Sequence, residues 1–438
     1  MTRRSRRSVL AACGAGLAAL AGCAGVDVSL GEDEEREYDA EALARLADGD
    51  DPTAPDAFPV RIPDETVARH DDRARELLAA VPERPDVPNG VIAERLREER
   101  KRAVERLRER EDAPTGLERL EDARYVRGET AEVNGTYRAA LGEIDRETVA
   151  EGREALRADR LGFEAEWDYR GGSPGEVLVV HAELERLVED ARRNAEAWPP
   201  FPDDPREDVF RVGEIVGEVE RGWASLGDAI RLRTRYVGKA ADPESYRTAV
   251  TAAAGRLELR TTDRRRRRLH GYLDRRASEA FERSVEETPA EYLYHEARQR
   301  VRGAAEGAEE ARRTGDHATA ALRSATELAG LRAFDAVVDA VENGEYGPPE
   351  DEGRIAAVHE DAVAALREAW DTEPVPVSVE LTWPARDSLQ DARYWLEDAD
   401  GGVRTVDRAY ANLVYTRLYA ERVPEVVVAV TDALGGPG

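Results

Sequence analysis

Residues 174–198 read "PGEVLVVHAELERLVEDARRNAEAW", and their spacing decides the fold. Val177, His181, Leu184, Val188, Ala191, Ala195 and Trp198 recur at intervals of four and three, so a helix of 3.6 residues per turn stacks them on one stripe. The outer face carries Glu and Arg, as a solvated helix face does. Working outward, the same spacing returns in Val212, Val216, Val219, Trp223, Leu226 and Ile230, and in Val67, His70, Ala74, Leu77 and Val81. It continues in Val133, Tyr137, Leu141 and Ile144, in Ala321, Ala325, Leu328 and Leu331, and in Val403, Val406, Tyr410 and Leu413. The chain therefore reads as all-α, a multi-helix bundle or helical array of about ten helices.

One stretch departs from that rule. In "PVPVSVELTWP", Val375, Val377, Val379, Leu381 and Trp383 alternate with polar residues or Pro, the period of an extended strand. Phe58, Val60 and Ile62 in "FPVRI" alternate in the same way, so the two stretches are expected to pair or to lie extended across the helices. The prolines limit any ladder to a short edge. At most one short extended or two-stranded element is expected.

The strongest breaks, "AWPPFPDDP" at 197–205 and "NGEYGPPEDEG" at 343–353, divide the body into helical regions at 58–200, 201–345 and 346–438, the second with a long arginine-rich helix. Residues 23–57 are acidic and poor in large apolar side chains, and read as a flexible tether with room for a short helix at 38–46.

The N-terminus has a different character. Arg3, Arg4, Arg6 and Arg7 precede an apolar run from Val9 to Ala21 that is too short to span a bilayer, and the run ends at Cys23. "SRRSVL" resembles the twin-arginine export signal and "LAGC" resembles the lipobox of lipoprotein signals. The resemblance implies export through Arg6 and Arg7, cleavage of residues 1–22, and a lipid on Cys23 that holds the protein to the outer face of the cytoplasmic membrane. Cys13 leaves with the signal, so the mature chain has no second thiol to pair with Cys23, which excludes disulfides and cysteine-ligated metals.

Removal of the four signal arginines leaves 60 basic against 92 acidic residues, a net charge of −32. Two lysines stand against 62 arginines. This composition resembles that of proteins from salt-loving archaea, in whose solvent a Debye length of about 3 Å screens the self-repulsion. It also argues against nucleic acid, which calls for a basic footprint.

Motifs for chemistry are sparse. Gly171, Ser173 and Gly175 spell G-x-S-x-G, but no strand precedes them and Pro174 lacks the N–H that an oxyanion hole needs, so Ser173 reads as a helix cap. His181, inside an apolar stripe, reads as buried and neutral. Glu291 and His295, four apart, are the only metal-ligand candidates, awaiting partners from elsewhere. Arg264, Arg265, Arg266, Arg267 and Arg268 cover the whole circumference of a helix, so some must meet carboxylates; the run is either internal counter-charge or a docking patch for anionic lipid or an acidic partner. Gly213 with Gly217 and Gly303 with Gly307 are read as helix-crossing points. Asn134 opens a glycosylation sequon inside a helix. No cofactor is expected. The leading reading is an exported, lipid-anchored binding or scaffold module at the cell surface. A metal-handling protein or enzyme with a site assembled from distant residues, and an envelope assembly or export factor that contacts other proteins, are the alternatives.

Overall fold

The computed structural model describes residues 36–49, 52–109, 115–196, 200–398 and 402–435, apart from the side chain of Arg268. Residues Tyr38–Gly438 form one compact unit. Its helices are α1 (Ala40–Ala47), α2 (Asp64–Ala79), α3 (Gly90–Arg108), α4 (Gly116–Leu141), α5 (Arg146–Ala165), α6 (Pro174–Asn194), α7 (Val209–Lys239) and α8 (Arg247–Arg264). A single π-helical turn, Arg265–Leu269, prolongs α8. There follow α9 (Ala277–Ala280), α10 (Pro289–Thr314), α11 (His317–Glu342), α12 (Glu352–Trp370), α13 (Val375–Leu381), α14 (Trp383–Glu397), α15 (Val403–Ala420) and α16 (Val423–Ala433). The all-α reading holds. The one ladder among the described residues joins two-residue strands, β1 (Arg170–Gly171) and β2 (Glu244–Ser245), antiparallel.

The helices pack in sequence as an array. α4 lies on α2 and α7, α7 on α6, and α6 on α11; α11 in turn packs against α8 and α10, and α10 against α15, which also meets α12 and α14. One hydrophobic core runs through this series, from Leu43 and Val67 by way of Leu184 and Phe334 to Val427, and draws on all three helical regions read from the sequence. Smaller clusters lie under α3, around Leu96 and Val133, and under the start of α7, around Ile144 and Ile215.

The 174–198 stripe behaves as its spacing requires. Val177, His181, Leu184, Val188 and Ala191 are all buried on α6, whereas Trp198 lies outside the described residues. Ser173 caps the helix by accepting the Glu176 N–H at 3.4 Å, with Pro174 in the first turn where its missing N–H leaves nothing unpaired. The stripe on α7 drifts. Ile230 is 44 % exposed, and the buried residues beside it are Asp228, Ala229 and Leu232, where Asp228 is drawn inward by Arg124.

Gly213 and Gly217 do mark a crossing. A Cβ on Gly213 would sit 2.0 Å from Thr136 Oγ1, and one on Gly217 would sit 2.9 Å from the Gly128 carbonyl, so only glycine lets α7 approach α4 this closely. The second pair differs from expectation: Gly303 faces open space and Gly307 meets only the Arg323 side chain.

Two further expectations are corrected. "PVPVSVEL" is helix α13, not a strand; Pro374 and Pro376 fall at its start, where proline is tolerated, and Val377, Ser378 and Leu381 form its buried face at spacings of one and three. "FPVRI" pairs with no strand, although Val60 and Ile62 are buried in the core. The short helix allowed at 38–46 within the tether is α1, and it is docked, not free: Asp39 caps it, Leu43 and Ala47 are buried, and the Tyr38 hydroxyl donates to the Pro349 carbonyl at 2.9 Å. Three apolar side chains in a short amphipathic helix suffice to hold an acidic segment against α12 and α14.

Candidate functional site

Two polar regions share α6 and α11, and they differ in how fully their groups are satisfied. In the first, the Trp167 indole N–H donates to His181 Nδ1 at 2.8 Å, which leaves His181 Nε2 to donate to the Arg170 carbonyl at 3.2 Å. Burial lowers the His181 pKa to about 4, so the ring is neutral, as its place in an apolar stripe suggested. Trp167 and Tyr169 stack beside it. One turn along α6, Glu185 accepts the Tyr169 hydroxyl at 2.5 Å, the Ala318 N–H at 3.0 Å and the Thr319 N–H at 2.6 Å. A carboxylate from another helix thus satisfies two orphan donors at the N-terminus of α11. Burial nevertheless pushes Glu185 up to about 7 against those hydrogen bonds.

The second region is a cleft. Its inner chamber, about 280 Å³, lies between α6, the last turns of α10, the start of α11 and the end of α13. Phe58, Leu117, Val179, Ala182 and Leu322 make a mostly apolar floor. An outer part of about 440 Å³ continues from the same floor past Pro376 and Val379 to Trp383, which is 50 % exposed at the mouth. Most charges in the inner chamber are taken: Glu183 holds Arg186 through two bonds of 2.7 and 2.8 Å, Glu189 holds Arg192, and Glu310 holds Arg313. Burial alone would lower the Arg186 pKa, but Glu183, Glu121 and Asp190 outweigh it and keep the guanidinium charged.

Arg323 and Glu380 stand apart from that pattern. Both line the inner chamber, and neither forms a hydrogen bond or ion pair among the described residues. Both side chains are exposed on the cleft; the protein atoms crowding Glu380 from one side, and Glu183 beside it, raise its pKa, while Arg323 pulls it down without joining it in an ion pair. A concave, mainly apolar chamber with a few convergent unsatisfied polar groups is the usual form of a ligand site. Neither residue was singled out from the sequence, because each occupies the charged face of its helix and looks like any solvated charge there.

The residues that were singled out are placed as follows. Cys23, Arg6 and Arg7 lie outside the described residues. Glu291 and His295 stand 3.6 Å apart, and Glu291 also accepts the Glu287 N–H at 2.7 Å; no group of three or more metal-ligating side chains exists among the described residues. Arg264 reaches Asp335 at 2.6 Å and Arg265 reaches the buried Glu327 at 2.6 Å, so both supply counter-charge to α11. Arg267 pairs with Asp263 on its own helix, and Arg266 and Arg267 are exposed. Asn134 is buried and donates to the Leu77 carbonyl at 3.0 Å, which closes the sequon to glycosylation in the folded chain.

Two family models match the chain. Residues 65–243 match one described as a domain of unknown function, DUF8262, and residues 247–432 match a second domain of unknown function, DUF8264. The boundary between the matches falls at β2, not at either of the Pro-rich breaks. No curated protein and no solved structure matches the chain.

Proposed function

We propose that the protein is an exported, lipid-anchored binding module, that residues 1–22 are its twin-arginine signal, and that the cleft beside α6 and α13 is its ligand site. The observation that carries the binding reading is the pair of unpaired charges, Arg323 and Glu380, exposed on a cleft with an apolar floor. Address and anchor rest on "SRRSVL" and "LAGC". No helix of the described residues is long and apolar enough to cross a membrane, so the membrane contact in this reading is the lipid on Cys23.

Two experiments test the two halves. Cys23→Ser should move the protein from the membrane fraction to the medium or to unprocessed precursor, and fractionation like wild type would contradict the anchor. Native mass spectrometry of protein released from its own membrane at native salt should show a bound mass that Ala182→Trp, which fills the chamber, abolishes. A bound mass that survives this substitution would place the site elsewhere.

A further inference from the structure

The binding reading leaves the ligand's chemistry open, and the inner chamber constrains it. Its size, about 280 Å³, sits at the small end of the roughly 300–1,000 Å³ typical of small-molecule sites, which suits a single compact molecule. Its floor is apolar. Its two unpaired side chains, Arg323 and Glu380, both exposed on the cleft, carry opposite charges, yet they do not close into an ion pair. Elsewhere around the chamber, arginines do reach carboxylates: Arg186 binds Glu183, Arg192 binds Glu189 and Arg313 binds Glu310. A guanidinium and a carboxylate held apart over an apolar surface form a template for a molecule with the complementary charges and an apolar body.

We propose that the chamber binds a zwitterionic α-amino acid with a large apolar side chain, its ammonium on Glu380, its carboxylate on Arg323 and its side chain against Val179, Leu322, Phe58 and Leu117. The proposal rests on the cleft being the ligand site. Charge-assisted bonds of both kinds can form at the rim, where the apolar floor shields one side of each pair from water. The planar guanidinium matches a carboxylate in a two-bond fork, and the ammonium needs only a point partner. Both charges of the ligand would be neutralised, so the strongly acidic surface of the protein adds little net attraction or repulsion.

Titration calorimetry of the purified protein in molar KCl tests this with four probes: L-phenylalanine, L-leucine, L-phenylalaninamide, which lacks the carboxylate, and 3-phenylpropionate, which lacks the ammonium. The expected result is saturable one-to-one binding of phenylalanine or leucine, with the amide and the propionate each at least ~tenfold weaker, as loss of one charged hydrogen-bond partner implies. Glu380→Gln should weaken phenylalanine at least ~tenfold and leave 3-phenylpropionate unchanged, and Arg323→Gln should weaken phenylalanine and leave the amide unchanged. Melting curves identify any variant that has lost its fold. Absence of saturable heat with both amino acids overturns the proposal, as does equal affinity for phenylalanine, the amide and the propionate. If native mass spectrometry still finds a chamber-dependent ligand while neither amino acid binds, the binding reading stands and the amino-acid assignment falls.

Discussion

The sealed cluster around Glu185 and the open chamber around Glu380 draw on the same helices, α6 and α11, and each holds a carboxyl raised by its surroundings. Both line the inner chamber, but Glu185 has three donors and almost no exposure, whereas Glu380 has none and is exposed to the cleft. The difference separates two uses of a polar group. Where donors and acceptors close on each other, the group fixes helices in register; where they are left unmatched beside an apolar floor, the group is available to a ligand. A third polar region shows the first use at its most complete. Asp228, fully buried on α7, accepts from Arg124 at 3.2 Å and Arg231 at 3.3 Å and meets His70 Nε2 at 3.1 Å. Arg127 donates to His70 Nδ1 at 3.4 Å, so the ring proton lies on Nε2 and points at Asp228.

That contrast can be broken most severely at Asp228. Asp228→Ala leaves the buried Arg124 guanidinium without compensation and should cost about 3–5 kcal/mol in denaturant unfolding. A cost below about 1 kcal/mol would mean that the network does not hold α2, α4 and α7 together.

The next test uses pH. Folded His181 takes a proton only near pH 4, whereas the unfolded ring takes it near 6.5, so its contribution to stability is present above pH 6.5 and is lost as pH falls toward 4. Glu185 has the opposite sign. Its folded pKa of about 7 lies above the ordinary 4.5, so its contribution is present below pH 4.5 and is lost as pH rises through 7. In thermal melts, the difference between Glu185→Gln and wild type should therefore grow more favourable to the variant from pH 4.5 to 7. The difference for His181→Asn should do so from pH 6.5 down to 4. Differences flat with pH would remove the assignment of a proton to Glu185 and of a neutral ring to His181.

The smallest expected effect lies in the chamber. Arg323→Gln and Glu380→Gln break no hydrogen bond or ion pair within the described residues, so each should leave stability within about 0.5 kcal/mol of wild type. A loss beyond about 1 kcal/mol at either site would show that the chamber is braced by charges and would blur its distinction from the sealed cluster.

Much of this architecture was legible in the sequence wherever the signal was local. The α6 stripe, the Ser173 cap and the Gly213–Gly217 crossing each depend on residues within one helix or at its end, and each was read correctly. The strand expected at 375–383 failed because Val-Pro-Val-Ser-Val alternates by composition, while two prolines near its start are as compatible with a helix N-terminus as with an edge strand. The sealed networks could not be read, since Glu185 meets the start of α11 across 133 positions and Arg124 meets Asp228 across 104. The chamber was hidden for a simpler reason. Arg323 and Glu380 lie among 156 charged residues, and only the packing of α6, α11 and α13 sets these two apart from the rest.

Hydrogen exchange followed by mass spectrometry, on the lipidated protein in its own membrane and again after release and exhaustive dialysis at the same salt, tests the division between sealed and open regions most directly. The account predicts that dialysis speeds exchange in α13, residues 375–381, and in the adjoining 54–58 segment, where a ligand departs. Exchange around the sealed Asp228 network in α4 and α7 should stay equally slow in both states. Unchanged exchange in α13, or a change confined to the Asp228 network, would contradict it.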